Sequence, residues 1–194
     1  MSQKRINIEG GIYFVTSRTF NNKEIFTDEN ACKLFIEVLD YYHKKLEFHL
    51  HAYVIMPNHV HLLIQPTGRY GISEINHRIK GNFAIQYLQN QRNHQNHKGS
   101  DALGGKKKSS INTASEPLWF VGKKRHRIRI NPVWQKSFYD RAIRTETQRE
   151  NTMKYIDFNA VKHGLVDNPE KWLYSSYHNH HQTSKELIEI DYLT

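Results

Sequence analysis

One cysteine, Cys32, stands in a chain of 194 residues, so no disulfide can form within it. A disulfide-stapled secreted scaffold is excluded, and a reducing, cytoplasmic setting is expected. Cys32 itself falls in a helical pattern and reads as a core residue. No apolar run is long enough to cross a bilayer, and the opening MSQKRINIEGG lacks the apolar segment of a signal peptide. No membrane association is expected. Acidic residues are scarce in one region: between positions 91 and 130 only Asp101 and Glu116 stand against ten Lys or Arg. That segment holds nearly all of the net charge of +9. Such an excess is the footprint of a polyanion-binding surface, nucleic acid above all, although charge blocks also occur as plain solvated loops.

The rest of the chain is of ordinary globular composition, 38% hydrophobic and 24% charged. It is long enough for one domain with a real core. GIYFVTSRTF (11–20) alternates apolar and polar residues as a strand does. TDENACKLFIEVLDYYHKK (27–45) has Thr27 or Asp28 as N-cap and Cys32, Phe35, Ile36 and Leu39 at helical spacing. LEFHLHAYVIM (46–56) and HVHLLIQP (59–66) form a hairpin around Pro57-Asn58. A second helix is expected over 71–91, capped by Ser73, with Ile75, Ile79 and Phe83 on its apolar face. A polar, basic insertion is expected at about 92–116, then a short strand or turn in 133–144. The last helix spans 145–164, with Thr145 and Gln148 placed as a capping box and Gly164 as its stop. Strand, helix, hairpin, helix, basic loop and helix make an α+β domain, an antiparallel sheet with helices on one face. The tail aromatics Trp172, Tyr174 and Tyr177 are placed to pack back onto it.

MPNHVHLLI (56–64) puts His59 and His61 two apart in an apolar strand, so both project from one face. For an arbitrary H-x-H the commoner outcome is two unrelated polar positions on a solvated face. The flanking VIM and LLI make this strand central, where unpartnered imidazoles are costly. Two neutral imidazoles side by side are half of a divalent-metal site. Asn159, in the last helix, can add a carboxamide oxygen for magnesium or manganese. Tyr155, four residues earlier, then lies one turn from the metal as a phenol able to attack a phosphodiester. Spacing does not single it out. Tyr87 and Gln91 repeat the pattern on another helix, Tyr139 precedes Asp140, and a helical tyrosine is most often core packing.

MPNHVHLLI resembles the histidine–hydrophobic–histidine motif of the single-tyrosine HUH (IS200-like) transposases. YIDFNAVKHGLV (155–166) is similar to the helix that carries the catalytic tyrosine in their REP-associated tyrosine transposase branch. YFVTSRTFNNKEIF and WQKSFYDRAIR are also similar to segments of that family. The likeness covers most of residues 8–180 and is poorest around 92–116. It implies a ferredoxin-like HUH endonuclease domain and metal-dependent cleavage and rejoining of single-stranded DNA. His59, His61 and Asn159 would hold the magnesium or manganese, and Tyr155 would form a 5′-phosphotyrosine. Tyr87 and Tyr139 do not occupy the family's nucleophile position. The resemblance also implies hairpin-bearing single strands as partners, and a homodimer in those members that exchange the tyrosine helix. KKRHRIR, with Lys123, Lys124, Arg125, Arg127 and Arg129, is expected to contact phosphates. The alternative is a domesticated nucleic-acid-binding protein on the same fold without transposition activity. The presence of both histidines, the tyrosine and the asparagine argues against it.

Overall fold

A computed structural model describes residues 8, 10–97, 133–183 and 185–192. Strand β1 (Ile12–Arg18) leads through two short 3-10 turns into helix α1 (Glu29–Leu46). The hairpin follows as β2 (Phe48–Met56) and β3 (His59–Pro66), then helix α2 (Ile72–His97) and strand β4 (Tyr139–Ile143). Helix α3 (Glu146–Asp157), the single turn α4 (Asn159–Lys162) and the short α5 (Tyr177–His180) complete the chain. The strands lie in the order β2-β3-β1-β4, and every pairing is antiparallel. Two strand–helix–strand crossovers sharing one sheet, with the long helices on one side, give the ferredoxin-like α+β arrangement. On that side Tyr13, Val15, Tyr53, Ile55, Leu62 and Ile64 are buried with Phe35 and Leu39 of α1 and Ile75, Ile79 and Phe83 of α2. Phe14, Ala52, Val54, Met56 and Leu63 point the other way and bury Ile156 and Ala160 of the α3–α4 stretch. The alternation of the strands thus gives the sheet two unlike faces, and α3 lies over the face that carries His59 and His61.

Several boundaries differ from the sequence reading. The α1 cap is Asp28, whose carboxylate accepts from the Asn30 amide at 2.9 Å, and α1 runs on to Leu46, the first residue expected in β2. Ser73 is not the cap of α2: the helix starts at Ile72, and the Gly71 carbonyl accepts from the amides of Glu74 and Ile75. Nor does the helix stop before 92. No Gly or Pro interrupts residues 82–97, so the polar stretch expected to open the insertion continues α2 to His97. The remainder of that insertion, 98–116, lies outside the described residues.

The last helix is broken where one continuous element was expected. Phe158 has φ −97 and ψ 9, which separates α3 from α4 although its amide still bonds to Lys154 O. The cause is tertiary. The Asp157 carboxylate is drawn onto His180 Nδ1 at 2.8 Å and accepts from Ser176, while exposed Phe158 packs edge-on against Tyr177. The tail packs back as the aromatics suggested. Trp172 donates its indole N–H to Ile55 O, and the backbone of Tyr174 and Ser176 pairs with Ile55 and Tyr53 along the edge of β2.

Candidate active site

The site is built on two neighbouring rows of the sheet. One runs Val54, His61, Thr16, Tyr139 across β2, β3, β1 and β4; the next runs Met56, His59, Arg18. Residues facing each other in register point to one side, so a single pairing of β1 on β3 sets Thr16 beside His61 and Arg18 opposite His59. His61 Nδ1 lies 2.8 Å from Thr16 Oγ1. His59 Nδ1 lies 2.7 Å from Asn58 Oδ1, in a turn whose carbonyls accept from Thr19 and Phe26. Nδ1 is occupied on both rings, which leaves Nε2 of each as the nitrogen for a ligand. The two rings stand 4.7 Å apart at their centres.

Burial drives both imidazoles neutral. His59 is pushed down to about 4 by desolvation, helped by the charges of Arg18 and His163. His61 is pushed down to about 3 by desolvation and then by His59, Arg18 and His163. An unfolded imidazole titrates near 6.5, so between that pH and about 4 the unfolded chain binds more protons than the folded one. The stabilisation from these two rings is complete above pH 6.5 and is lost as pH falls toward 4. His180 has the opposite sign. Burial pulls it down, but its hydrogen bond and charge pair with Asp157 and its bond to His51 O outweigh that and raise it. Its contribution is complete below pH 6.5 and is lost above. We therefore expect the urea midpoint to fall between pH 6.5 and 5, and to fall less in His61→Gln. Equal losses in both proteins would contradict the neutral burial of His61.

Tyr155 is half-buried, its ring edge-on to His61 at 5.4 Å and to Phe14 at 5.9 Å. Lys162 Nζ lies 4.9 Å above the same ring. One turn beyond Asn159, the ring of His163 comes within 5.9 Å of His59. Asn159 therefore sits between two residues, four before and four after it, that touch one histidine each. Its side chain is fully buried, and neither its carboxamide oxygen nor its nitrogen has a hydrogen-bond partner. An orphaned buried amide is costly unless something unseen satisfies it. Among the described residues no three His, Cys, Asp or Glu side chains form a metal-binding group. With two neutral imidazoles and an unpaired carboxamide oxygen, the donor set fits a divalent cation.

Of the other tyrosines, Tyr87 stacks on Phe83 on the opposite side of the sheet, far from the histidine face. Tyr139 shares the face but is 60% exposed on the edge strand. The basic residues Lys123, Lys124, Arg125, Arg127 and Arg129 lie outside the described residues. Two functional candidates escaped the sequence reading. Arg18 was inside a correctly read strand, but only the register puts it opposite His59; His163 was visible only as the fourth residue after Asn159.

The family described as Transposase IS200 like matches residues 9–103, which include β1, both histidines and α2. Over those residues the chain is similar to the IS200-like transposases. The chain is 28% identical over 176 residues to a Haemophilus influenzae protein assigned to the REP-associated tyrosine transposases, covering 88% of this chain and 81% of that one. It is 31% identical over 67 residues to the REP-associated tyrosine transposase of Escherichia coli, a match to 34% of this chain and 39% of that one. In fold it is similar to a solved REP-associated tyrosine transposase bound to a REP hairpin, with a TM-score of 0.64 at 18% identity over 100% of this chain and 93% of that one. Among the described residues, no helix is long and apolar enough to cross a membrane.

Proposed function

We propose that this protein is a transposase of the IS200-like kind, a metal-dependent single-stranded DNA transesterase that cuts and rejoins strands through a 5′-phosphotyrosine. The observation that carries the reading is the bracketing of the orphaned Asn159 amide by Tyr155 on His61 and His163 on His59. His59, His61 and Asn159 would hold magnesium or manganese, whose charge offsets what develops on the phosphoryl oxygens. Tyr155 Oη attacks the scissile phosphorus, giving up its proton as the new O–P bond forms. The bond to the 3′ oxygen breaks, and that oxygen leaves as a free 3′-hydroxyl. In rejoining, a 3′-hydroxyl attacks the phosphotyrosine and returns the phenol. Ester energy is conserved throughout, so no nucleotide cofactor is required. Lys162 over the phenol ring sets a positive charge beside the group on which negative charge develops. Arg18 supplies a second cation at the histidine end.

The solved relative was captured with a REP hairpin, which supports a hairpin-bearing single strand as the substrate here. Lys123, Lys124, Arg125, Arg127 and Arg129 would grip its phosphates. The test is incubation of the protein with labelled single-stranded hairpin oligonucleotides and manganese, followed by a denaturing gel. A covalent protein–DNA band that depends on manganese is expected; its absence for every hairpin strand tried would overturn the proposal. Binding of the same strands over a salt series reads the basic residues. Neutralising two of them should flatten the log–log slope by about 0.7 per lost contact, and an unchanged slope removes them from the interface.

A further inference from the structure

The WQKSFYDRAIR segment is not used by the chemistry above, yet it forms one wall of a cleft beside the nucleophile. The cleft holds about 300 Å³ and is lined by Phe14, Tyr139, Arg141, Asn151, Thr152 and Tyr155. Tyr139 and Arg141 alternate onto the same face of β4, opposite Thr16 and Phe14 of β1. Because β4 is the edge strand, Tyr139 stands at the open end of the row that contains His61, two strand spacings or about 10 Å from it. An aromatic ring left 60% exposed in the lining of the cleft is accessible to a base that enters it. Arg141 is held there by a hydrogen bond to Thr152 Oγ1 at 3.3 Å and lies 5.9 Å over the ring of Phe14. A guanidinium carries five donors, so one bond to a hydroxyl leaves it able to fork onto a phosphate.

We infer that this cleft is the subsite for the nucleotide neighbouring the scissile phosphate, its base stacked on Tyr139 and its phosphate held by Arg141. The inference rests on the single-strand transesterase reading for the identity of the ligand. Its physical basis is independent of the metal: a flat aromatic face beside a fixed cation is how proteins hold unpaired nucleotides. Tyr139 and Arg141 are binding residues in this account, and the reacting atoms remain with Tyr155.

The test measures fluorescence anisotropy in chelator-containing buffer, where no metal-dependent adduct forms. The probes are hairpin oligonucleotides with an unpaired flank, intact or carrying one abasic sugar at successive positions of that flank. Wild-type protein should lose about tenfold in affinity at one abasic position. Tyr139→Ala should lose the same factor on the intact strand and show no further loss at that position. Tyr139→Phe, which keeps the ring, should bind as the wild type does. The subsite is overturned if Tyr139→Ala binds the intact strand normally, if the abasic penalty persists undiminished in it, or if the wild type binds none of the strands. A wild type that shows the Tyr139-dependent pattern but forms no adduct with manganese overturns the transesterase reading and leaves the subsite standing.

Discussion

Tyr155→Phe is expected to keep its fold and its affinity for single-stranded hairpin DNA while losing the covalent adduct altogether. The substitution removes one oxygen. The ring that packs edge-on to Phe14 and His61 beneath Lys162 is retained, so the contacts that position α3 on the sheet are unchanged. Any cost of the missing hydroxyl is bounded by that of one hydrogen bond, about 0.5–1.5 kcal/mol, which a folded domain of this size tolerates. The proposed chemistry has no such margin, because without the phenolic oxygen there is no atom to form the bond to phosphorus. The measurement pairs a binding isotherm with a denaturing gel on the same preparation. An adduct at normal yield in Tyr155→Phe, with loss in Tyr139→Phe or Tyr87→Phe, would refute the assignment. Tyr87 packs against the core on the far side of the sheet, so its Phe variant is also a control for nonspecific damage.

The second large effect concerns the histidine pair. Either His59→Ala or His61→Ala should weaken manganese binding at least tenfold, about 1.4 kcal/mol, because each removes one of two neutral nitrogen donors. The two substitutions differ in their structural consequences. His61 Nδ1 is bonded to Thr16 in the middle of the sheet, whereas His59 Nδ1 is bonded to the turn residue Asn58 next to it. His61→Ala therefore also leaves the buried Thr16 hydroxyl without its partner and should lower the urea midpoint more than His59→Ala does. Titration calorimetry checks the first part, and unchanged manganese affinity in both variants would remove them as ligands. Asn159→Ala extends the test: its carboxamide has no protein partner to lose, so a loss of metal affinity without a loss of stability is expected.

Much of this architecture was written in local sequence. The alternation of GIYFVTSRTF, the Pro57-Asn58 turn between two apolar runs and the apolar spacing of α1 each act over a few residues, and β1, the hairpin and α1 formed where they were read, with some ends shifted by one or two residues. So did Thr145, whose hydroxyl accepts from the Gln148 amide at 3.2 Å. The projection of His59 and His61 from one face also follows from strand geometry alone. What only the tertiary structure decided lies at longer range. That Thr16 bonds His61 and Arg18 faces His59 depends on the register of two strands more than forty residues apart, and no local pattern states a register. The break at Phe158 arises because Asp157 pairs with His180, 23 residues onward, a contact that overrides an otherwise continuous helical signal. Asn159 and Tyr155 were legible as neighbours four apart, but their meeting with the histidines required α3 to lie across the sheet, held there by Ile156 and Ala160 on Phe14, Val54 and Leu63. Propensity and periodicity act through adjacent residues, whereas a catalytic constellation is assembled by packing, which exists only once the whole sheet has closed.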